Sequence, residues 1–175
     1  MKSTIFIFLL LVTMSCQNSE RKQIEQLVKE WTDREILLPE GPVFTRFATD
    51  TVSYTIQPAR YKVIVFVDSV GCISCKLQLP KWKDLINEVD SLSETDIPFL
   101  FFFQTKNVSE IRHILRCDNF ANPVCIDTAD DLYKLNRFPS NMMFQTFLVD
   151  AGNRVKVIGL SLIHISEPTR HAQIS

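Results

Sequence analysis

Two cysteines, Cys72 and Cys75, stand where an apolar run over residues 61–67 gives way to a helical pattern that begins near Ile73. The first N–H groups of a helix lack intrahelical partners and carry partial positive charge, so a thiolate on Cys72 would be stabilised there. Cys75 follows one turn later on the same face, from which it could attack a disulfide formed by Cys72. This spacing predicts a nucleophilic and a resolving cysteine that need no organic cofactor.

A metal site and a pair of structural thiols are the other interpretations of these cysteines. Further candidate metal ligands in the sequence are Cys117, Cys125, His113, Met142 and Met143. A structural zinc site needs four ligands, and neither the two further cysteines nor the histidine stands at zinc-knuckle spacing. A zinc or copper site that combines the pair with one of the methionines remains an alternative. Because Cys-x-x-Cys beside a strand and a helix is a redox signature, we expect no bound metal.

The first 15 residues have the layout of a secretory signal peptide, in which Lys2 precedes an apolar stretch over residues 5–12. This stretch is shorter than the roughly 20 apolar residues that span a bilayer. Residues 11–16 resemble a bacterial lipoprotein signal, in which the cysteine after the cleavage site, here Cys16, carries the lipid. Cleavage without lipid is the alternative, and both would export the chain. The resemblance implies a lipoprotein of the cell envelope that is anchored to the membrane and faces the periplasm.

The other end of the chain is excluded from our fold prediction. Residues 160–170 resemble one reading frame of a sequencing adapter, and an ordinary polar tail is the alternative. We therefore treat residues 160–175 as a non-native tail, which leaves His113 as the native histidine. We also expect the chain to lack a final helix, to expose apolar surface as a result and to express poorly.

Composition argues for one packed domain without affinity for nucleic acid. The formal net charge is -1 and basic residues form no cluster, so nothing in the sequence attracts a polyanion. With 13 Phe and only 4 Gly, the chain should build a phenylalanine-rich core. We divide the mature chain into residues 16–60, with a helix and short strands, and a main domain over residues 61–159.

Hydrophobic periodicity predicts alternating strands and helices. We expect helices over residues 19–33, 73–92, 108–116 and 128–135, and strands over residues 43–47, 51–55, 61–67, 97–103, 123–127, 144–149 and 154–158. Pro80 should kink the second helix, and Thr128 with Asp131 should cap the fourth. The run over residues 97–103 reads as the central strand, and residues 150–153 as a hairpin turn.

Two motifs in this order resemble the thioredoxin-like family, in particular its TlpA-like redoxin branch and thioredoxin-like lipoproteins of Bacteroidetes. The first is the motif Cys72 to Cys75 with Lys76 and, five residues after the second cysteine, Pro80; the second is the strand 146–150. The resemblance implies an α/β, three-layer sandwich around a mixed sheet. It also implies a thiol-disulfide oxidoreductase that acts on protein thiols or disulfides together with an unidentified redox partner.

The family pattern further implies a substrate loop, made here by Phe144, Gln145 and Thr146. Phe144 takes the place of the family's cis-proline, and Phe66 takes that of a buried acid in the preceding strand. Asp68 is then the carboxylate nearest to the thiols and a possible proton acceptor, with an ordinary solvated aspartate as the alternative. A redox-inactive binding or scaffold lipoprotein with a remodelled peptide groove remains the alternative function.

Cys117 and Cys125 flank a loop between a predicted helix and a predicted strand. A local disulfide between them is one interpretation. The other is a pair of buried, small apolar residues, since free cysteine is among the most buried residue types.

Overall fold

The computed structural model of the chain describes residues 21–54, 56, 59–70, 73–93 and 95–159, without the side chains of Ser74 and Cys75. The predicted signal peptide, Cys16 and the predicted tail lie outside the described residues. Within these ranges, no helix has both the length and the apolar character needed to cross a membrane.

Strands and helices alternate along the described chain, as the periodicity predicts. Helix α1 is described over residues 21–31. The elements that follow are β1 (Phe44–Arg46), β2 (Asp50–Thr51), β3 (Tyr61–Val67), α2 (Ile73–Leu77), α3 (Leu79–Leu92), β4 (Phe99–Gln104), α4 (Val108–Cys117), β5 (Val124–Asp127), α5 (Asp131–Asn136), β6 (Thr146–Asp150) and β7 (Val155–Ile158).

The described strands form one mixed sheet in the order β2-β1-β5-β4-β3-β6-β7. Strands β3, β4 and β5 are parallel, and β6, β7, β1 and β2 extend the sheet with antiparallel pairs. Strand β4 is central, as predicted. The carboxyl ends of the three parallel strands, including the end of β3 from which the cysteine motif follows, therefore meet at one edge of the sheet.

Alternating side chains of the central strand divide the core between the two faces of the sheet. Leu100 and Phe102 point into a first core, which also holds Trp31 of α1 and Leu132 of α5. Phe101 and Phe103 point into a second core, built with α2, α3 and α4 through Leu77, Leu79, Trp82, Ile111 and Leu115. Helices thus cover both faces, which confirms the predicted three-layer α/β architecture.

The sequence predicts a single helix over residues 73–92. This prediction is wrong, because two separate helices occupy the range. Helix α2 ends at Leu77, Gln78 adopts a left-handed conformation with φ 42°, and α3 begins at Leu79. Pro80 lies in the first turn of α3, where its missing N–H costs no intrahelical hydrogen bond. The proline is therefore accommodated by a new helix start rather than by a kink.

The predicted cap of the last described helix is also wrong. The carboxylate of Asp127, at the end of β5, accepts hydrogen bonds from the N–H groups of Asp131 and Leu132, both at 2.9 Å. Thr128 is exposed, and α5 begins three residues after it, at Asp131. The buried Asp127 therefore links the sheet edge to α5.

The terminal hairpin is confirmed, although its first strand begins later than predicted. Residues Met142–Phe144 form a 3-10 turn, so β6 begins at Thr146. At the other end of β6, the side chain of Asp150 accepts hydrogen bonds from the N–H groups of Gly152 and Arg154 at 2.9 and 3.0 Å. The predicted strand over residues 51–55 is shorter than expected, because strand pairing in β2 ends at Thr51.

We predict that Asp127→Ala lowers the free energy of unfolding by about 0.5–2 kcal/mol, because two N–H groups of α5 lose their acceptor. Thr128→Ala is the matched control and should change it by less than about 0.5 kcal/mol. Urea denaturation of the two variants and the parent chain measures the difference. A larger loss of unfolding free energy in Thr128→Ala than in Asp127→Ala would instead indicate that Thr128 caps α5.

We predict a larger loss for Phe147→Ala in the first core. The ring of Phe147 is fully buried, with its centroid 5.1 Å from that of Trp31 and 5.2 Å from that of Phe138. Removing it should lower the free energy of unfolding by about 3–5 kcal/mol. Leu92→Ala, at a side chain that is 77% exposed, should have almost no effect. Equal denaturation midpoints for the two variants would contradict this packing.

Candidate functional site

The cysteine motif lies at the predicted junction of strand and helix. Strand β3 ends at Val67, and α2 begins at Ile73, directly after Cys72 in the sequence. Cys75 belongs to α2. Cys72 itself and the side chain of Cys75 lie outside the described part of the chain. The described backbone thus places Cys75 in the first turn of a helix that begins one residue after Cys72 in the sequence.

Asp68, the first residue after β3, is buried rather than solvated. It is 6% exposed, and its Oδ1 accepts hydrogen bonds from Lys76 Nζ and, at 2.9 Å, from the N–H of Val70. Its Oδ2 accepts a hydrogen bond from Gln145 Nε2 at 2.6 Å. The interpretation of Asp68 as an ordinary solvated aspartate is therefore wrong, and the structure brings it together with the predicted loop residue Gln145.

These donors control the charge of Asp68. Burial by itself would raise the pKa of the carboxyl, but the hydrogen bonds from Gln145 and Lys76 outweigh burial and hold that pKa below its ordinary value. Asp68 is therefore ionised at neutral pH and is a weak base. The geometry suits a carboxylate that holds the Lys76 ammonium in place better than one that accepts a proton from a thiol.

Gln145 connects this ion pair to the loop before β6. Its side-chain Nε2 also donates to the carbonyl of Pro139 at 2.9 Å, and its backbone carbonyl accepts from the N–H of Phe66 at 2.9 Å. The residue is 3% exposed. The amide thus binds Asp68, which is 77 positions away, and also closes its own segment through the carbonyl of Pro139.

The predicted substrate loop is closed on itself. In the 3-10 turn, the N–H of Phe144 donates to the carbonyl of Asn141 at 2.9 Å, and that of Gln145 donates to the carbonyl of Met142 at 3.2 Å. The N–H of Met143 donates to the side chain of Asn141 at 3.0 Å. The described residues include no cis peptide bond, so Phe144 does not adopt the conformation that the resemblance implies for a proline at this position. These N–H groups are not free to pair with an extended peptide.

Thr146, the third predicted loop residue, belongs to the sheet instead. It is buried, pairs with Val65 of β3, and accepts a hydrogen bond from the N–H of Gly159 at 2.9 Å. Gly159 has φ 77°, and a Cβ there would come within 3.0 Å of the Phe144 ring. This close contact fixes the Phe144 side of the loop against the end of β7.

Two clefts open beside these residues. The first has a volume of about 580 Å³ and separates α1 from the loop, with Ile24, Leu27, Met143 and Phe144 among its lining residues. The second, of about 540 Å³, is polar and lies next to Ile73 at the carboxyl edge of the parallel strands, where Ser69 and Lys106 line it. The second cleft adjoins α2 through Ile73, whereas the first lies between α1 and the segment 139–144.

Cys117 and Cys125 are both free thiols, so the predicted local disulfide is not present. Cys125 points into the first core, whereas α4, which ends at Cys117, packs into the second core on the opposite face. The sheet thus separates the two side chains. Cys125 is buried, as expected. This burial, together with the negative charge of the nearby Asp127, raises the pKa of its thiol to about 11. Cys117 is exposed, with its Sγ 3.5 Å from His113 Nε2.

The described residues contain no cluster of three or more histidine, cysteine or acidic side chains that could hold a metal ion. Met142 and Met143, the methionines of the metal alternative, are 42% and 53% exposed. That alternative depends on the motif thiols, whose positions the structure does not describe.

Sequence reasoning did not assign Lys76 and the carbonyl of Pro139 to the site. Lys76 is visible in the sequence as the residue after the second cysteine, eight positions beyond Asp68 across a strand-to-helix junction. That spacing allows an ion pair between the two side chains, and it is the sequence signal by which Lys76 could be assigned to the site. A backbone carbonyl leaves no signal of its own in a sequence.

No protein-family model matches the chain, and no curated protein does. Similarity appears in solved structures. StoA from Bacillus subtilis superimposes with a TM-score of 0.51 at 13% identity over 73% of this chain and 96% of that one. A thiol-disulfide oxidoreductase from Bacteroides fragilis gives 0.51 at 11% identity over 68% and 87%. Peroxiredoxin Q from Xanthomonas campestris gives 0.52 at 15% identity over 77% and 92%.

Identities this low carry information about architecture alone. The superpositions on all three structures agree with a mixed sheet that helices cover on both faces. The chain therefore has a thioredoxin-like fold.

Proposed function

We propose that this protein is a thiol-disulfide oxidoreductase that uses Cys72 and Cys75. The observation that carries the proposal is the position of the motif in a thioredoxin-like fold, with α2 starting directly after Cys72 and including Cys75. Unpaired N–H groups at that helix start favour the thiolate form of a cysteine. The ion pair between Lys76 of α2 and Asp68 after β3 supports the proposal further, because it fixes the helix to the strand end.

The reaction is two successive exchanges. The Cys72 thiolate attacks one sulfur of a partner disulfide, which forms a mixed disulfide and releases one partner thiolate. The Cys75 thiolate then attacks the sulfur of Cys72, forms the intramolecular disulfide and releases the second partner thiolate, and both leaving thiolates take protons from solvent. Two electrons pass from the motif to the partner, and an external thiol reductant restores the motif by the reverse sequence of exchanges.

Asp68 has a supporting role in this scheme. A carboxylate with a lowered pKa is a poor acceptor for a thiol proton at neutral pH. Its two oxygens already accept hydrogen bonds from three residues. We assign Asp68 to holding Lys76 and the start of α2 in place.

A redox-inactive binding or scaffold protein is the second candidate. It is favoured by the closed loop, whose N–H groups are bonded within the 3-10 turn and so cannot pair with a partner strand. In that case the partner would bind through side chains, and the cleft between α1 and the loop is the surface that fits such binding.

For location, we propose a lipoprotein of the cell envelope that faces the periplasm. Support comes from the sequence: an apolar segment over residues 5–12 is followed by Cys16 in a lipoprotein-type context. The partners would be protein thiols and disulfides of that compartment, where disulfides persist.

We predict that the chain reduces the disulfides of insulin in the presence of a thiol reductant and that Cys72→Ser abolishes this activity. The nucleophile is lost in that variant, while the fold is unaffected. Cys117→Ser, at an exposed thiol outside the motif, is the control and should keep the parent rate. Activity of Cys72→Ser equal to that of the parent would refute the oxidoreductase and leave the scaffold.

We predict an order of thiol reactivity with iodoacetamide at neutral pH, read by peptide mass spectrometry. Cys72 should be labelled first, because its thiolate is stabilised at a helix start. Cys125 should stay unlabelled until the protein is unfolded, because it is 7% exposed and has a pKa of about 11. Labelling of Cys72 no faster than that of a free thiol in solution would count against the proposal.

We predict that the Asp68–Lys76 pair makes stability depend on acid. A carboxyl whose pKa is lowered by folding stabilises the protein above its unfolded-state pKa of about 4, and this stabilisation disappears as the pH falls through the folded-state pKa. At pH 7, Asp68→Asn should therefore lower the free energy of unfolding by about 1–3 kcal/mol, since Lys76 loses a charged acceptor. The difference from the parent should shrink in acid. A difference that is constant between pH 7 and pH 2 would disprove the ion pair's contribution.

A further inference from the structure

The side-chain amide of Gln145 is the point at which three segments meet. One N–H reaches Asp68 after β3, the other reaches the carbonyl of Pro139, and Asp68 in turn binds Lys76 of α2. The amide is 3% exposed, so its hydrogen bonds are protected from water. One side chain therefore connects the helix of the cysteine motif to both ends of the segment 139–145.

The other hydrogen bonds of segment 139–145 close it on itself or attach it to β3, where the N–H of Phe66 donates to the backbone carbonyl of Gln145; among the described residues, none of them reaches α2. Its hydrogen bonds from Met143, Phe144 and Gln145 to Asn141 and Met142 close the 3-10 turn on itself. The ring of Phe144 packs against Gly159 at the end of β7, and β6 separates β7 from β3, the strand that α2 follows in the sequence. Among the described residues, the amide of Gln145 is thus the hydrogen-bonded link between this segment and the Asp68–Lys76 pair.

We propose that Gln145 is a positioning residue that latches segment 139–145 to the helix of the cysteine motif and thereby sets the affinity for protein disulfides. The inference rests on the proposed function. The bonds from Gln145 to Asp68 and from Lys76 to Asp68 bring this segment beside α2, where a polypeptide bound at that helix would touch it. A small disulfide has less surface with which to make such a contact.

The test is Gln145→Met, which keeps the length of the side chain and removes both donors. With insulin as substrate, KM should rise about 5- to 10-fold while kcat changes less than about 2-fold, because the loss is one of binding before the chemical step. The rate with a small aromatic disulfide such as dithiobis-nitrobenzoate should stay within about 2-fold of the parent rate.

Gln104→Met is the matched control. Gln104 Nε2 also donates to a carboxylate, Asp130 Oδ1 at 2.9 Å, but it stands at the end of β4 and not in the latch. The same chemical change at this position should leave the insulin KM unaltered. An equal KM increase in both variants, or an insulin KM in Gln145→Met equal to the parent value, would overturn the proposal. A parallel fall of the small-disulfide rate would also overturn it, since Gln145 would then act on the thiols or on the fold as a whole.

Hydrogen exchange tests the latch independently of the enzyme activity. Amides of residues 142–145 should exchange faster in Gln145→Met than in the parent, while those of β4 keep their protection. If the parent chain reduces neither disulfide, the proposed oxidoreductase function fails, and the exchange data alone then decide on the latch. Unchanged exchange over residues 142–145 would refute it.

Discussion

The arrangement at the carboxyl edge of the sheet depends on one buried carboxylate. Asp68 follows β3 directly, and an ionised group at 6% exposure is stable there only with donors around it. Lys76 supplies one from α2, Gln145 supplies one from the position just before β6, and the turn supplies the N–H of Val70. The strand, the helix of the cysteine motif and the neighbouring loop are positioned by the need to satisfy this one charge.

The sheet provides the rigid frame on which that network can form. Strand β3 lies between β4 and β6, so the end at Asp68 is held on both sides by ladder hydrogen bonds. Phenylalanines of β4 fill both cores, and the helices of each face pack on them. Because the frame fixes the strand end, the charge network can orient α2 relative to it, which is what an exchange site at a helix start requires.

Much of this fold could be predicted from the sequence, because the signals for it are local. The continuous apolar runs of β3 and β4 identify buried strands, and the periodicity of α4 identifies a half-buried helix. The failures occur at helix ends. Gln78 adopts a left-handed conformation within a run whose periodicity is helical, and Asp127, the last residue of β5, caps α5 although Thr128 has the better local signature.

The site was predicted in part for the same reason. The position of the Cys-x-x-Cys motif follows from a strand and a helix that are adjacent in the sequence. The burial of Asp68 depends on Gln145, which is 77 positions away, and no local pattern reports such a pair. The exposure of Cys117 and the burial of Cys125 likewise follow from the faces of the sheet to which α4 and β5 turn, and sequence spacing does not encode these faces.

The most direct test of the account is a redox titration of the full chain against glutathione or dithiothreitol buffers, with the Cys72–Cys75 disulfide counted by mass spectrometry. A working exchange couple should equilibrate between roughly -120 and -270 mV, the range of known thiol-disulfide exchange proteins. A pair that never closes, or that stays oxidised below roughly -300 mV as structural disulfides do, would contradict it.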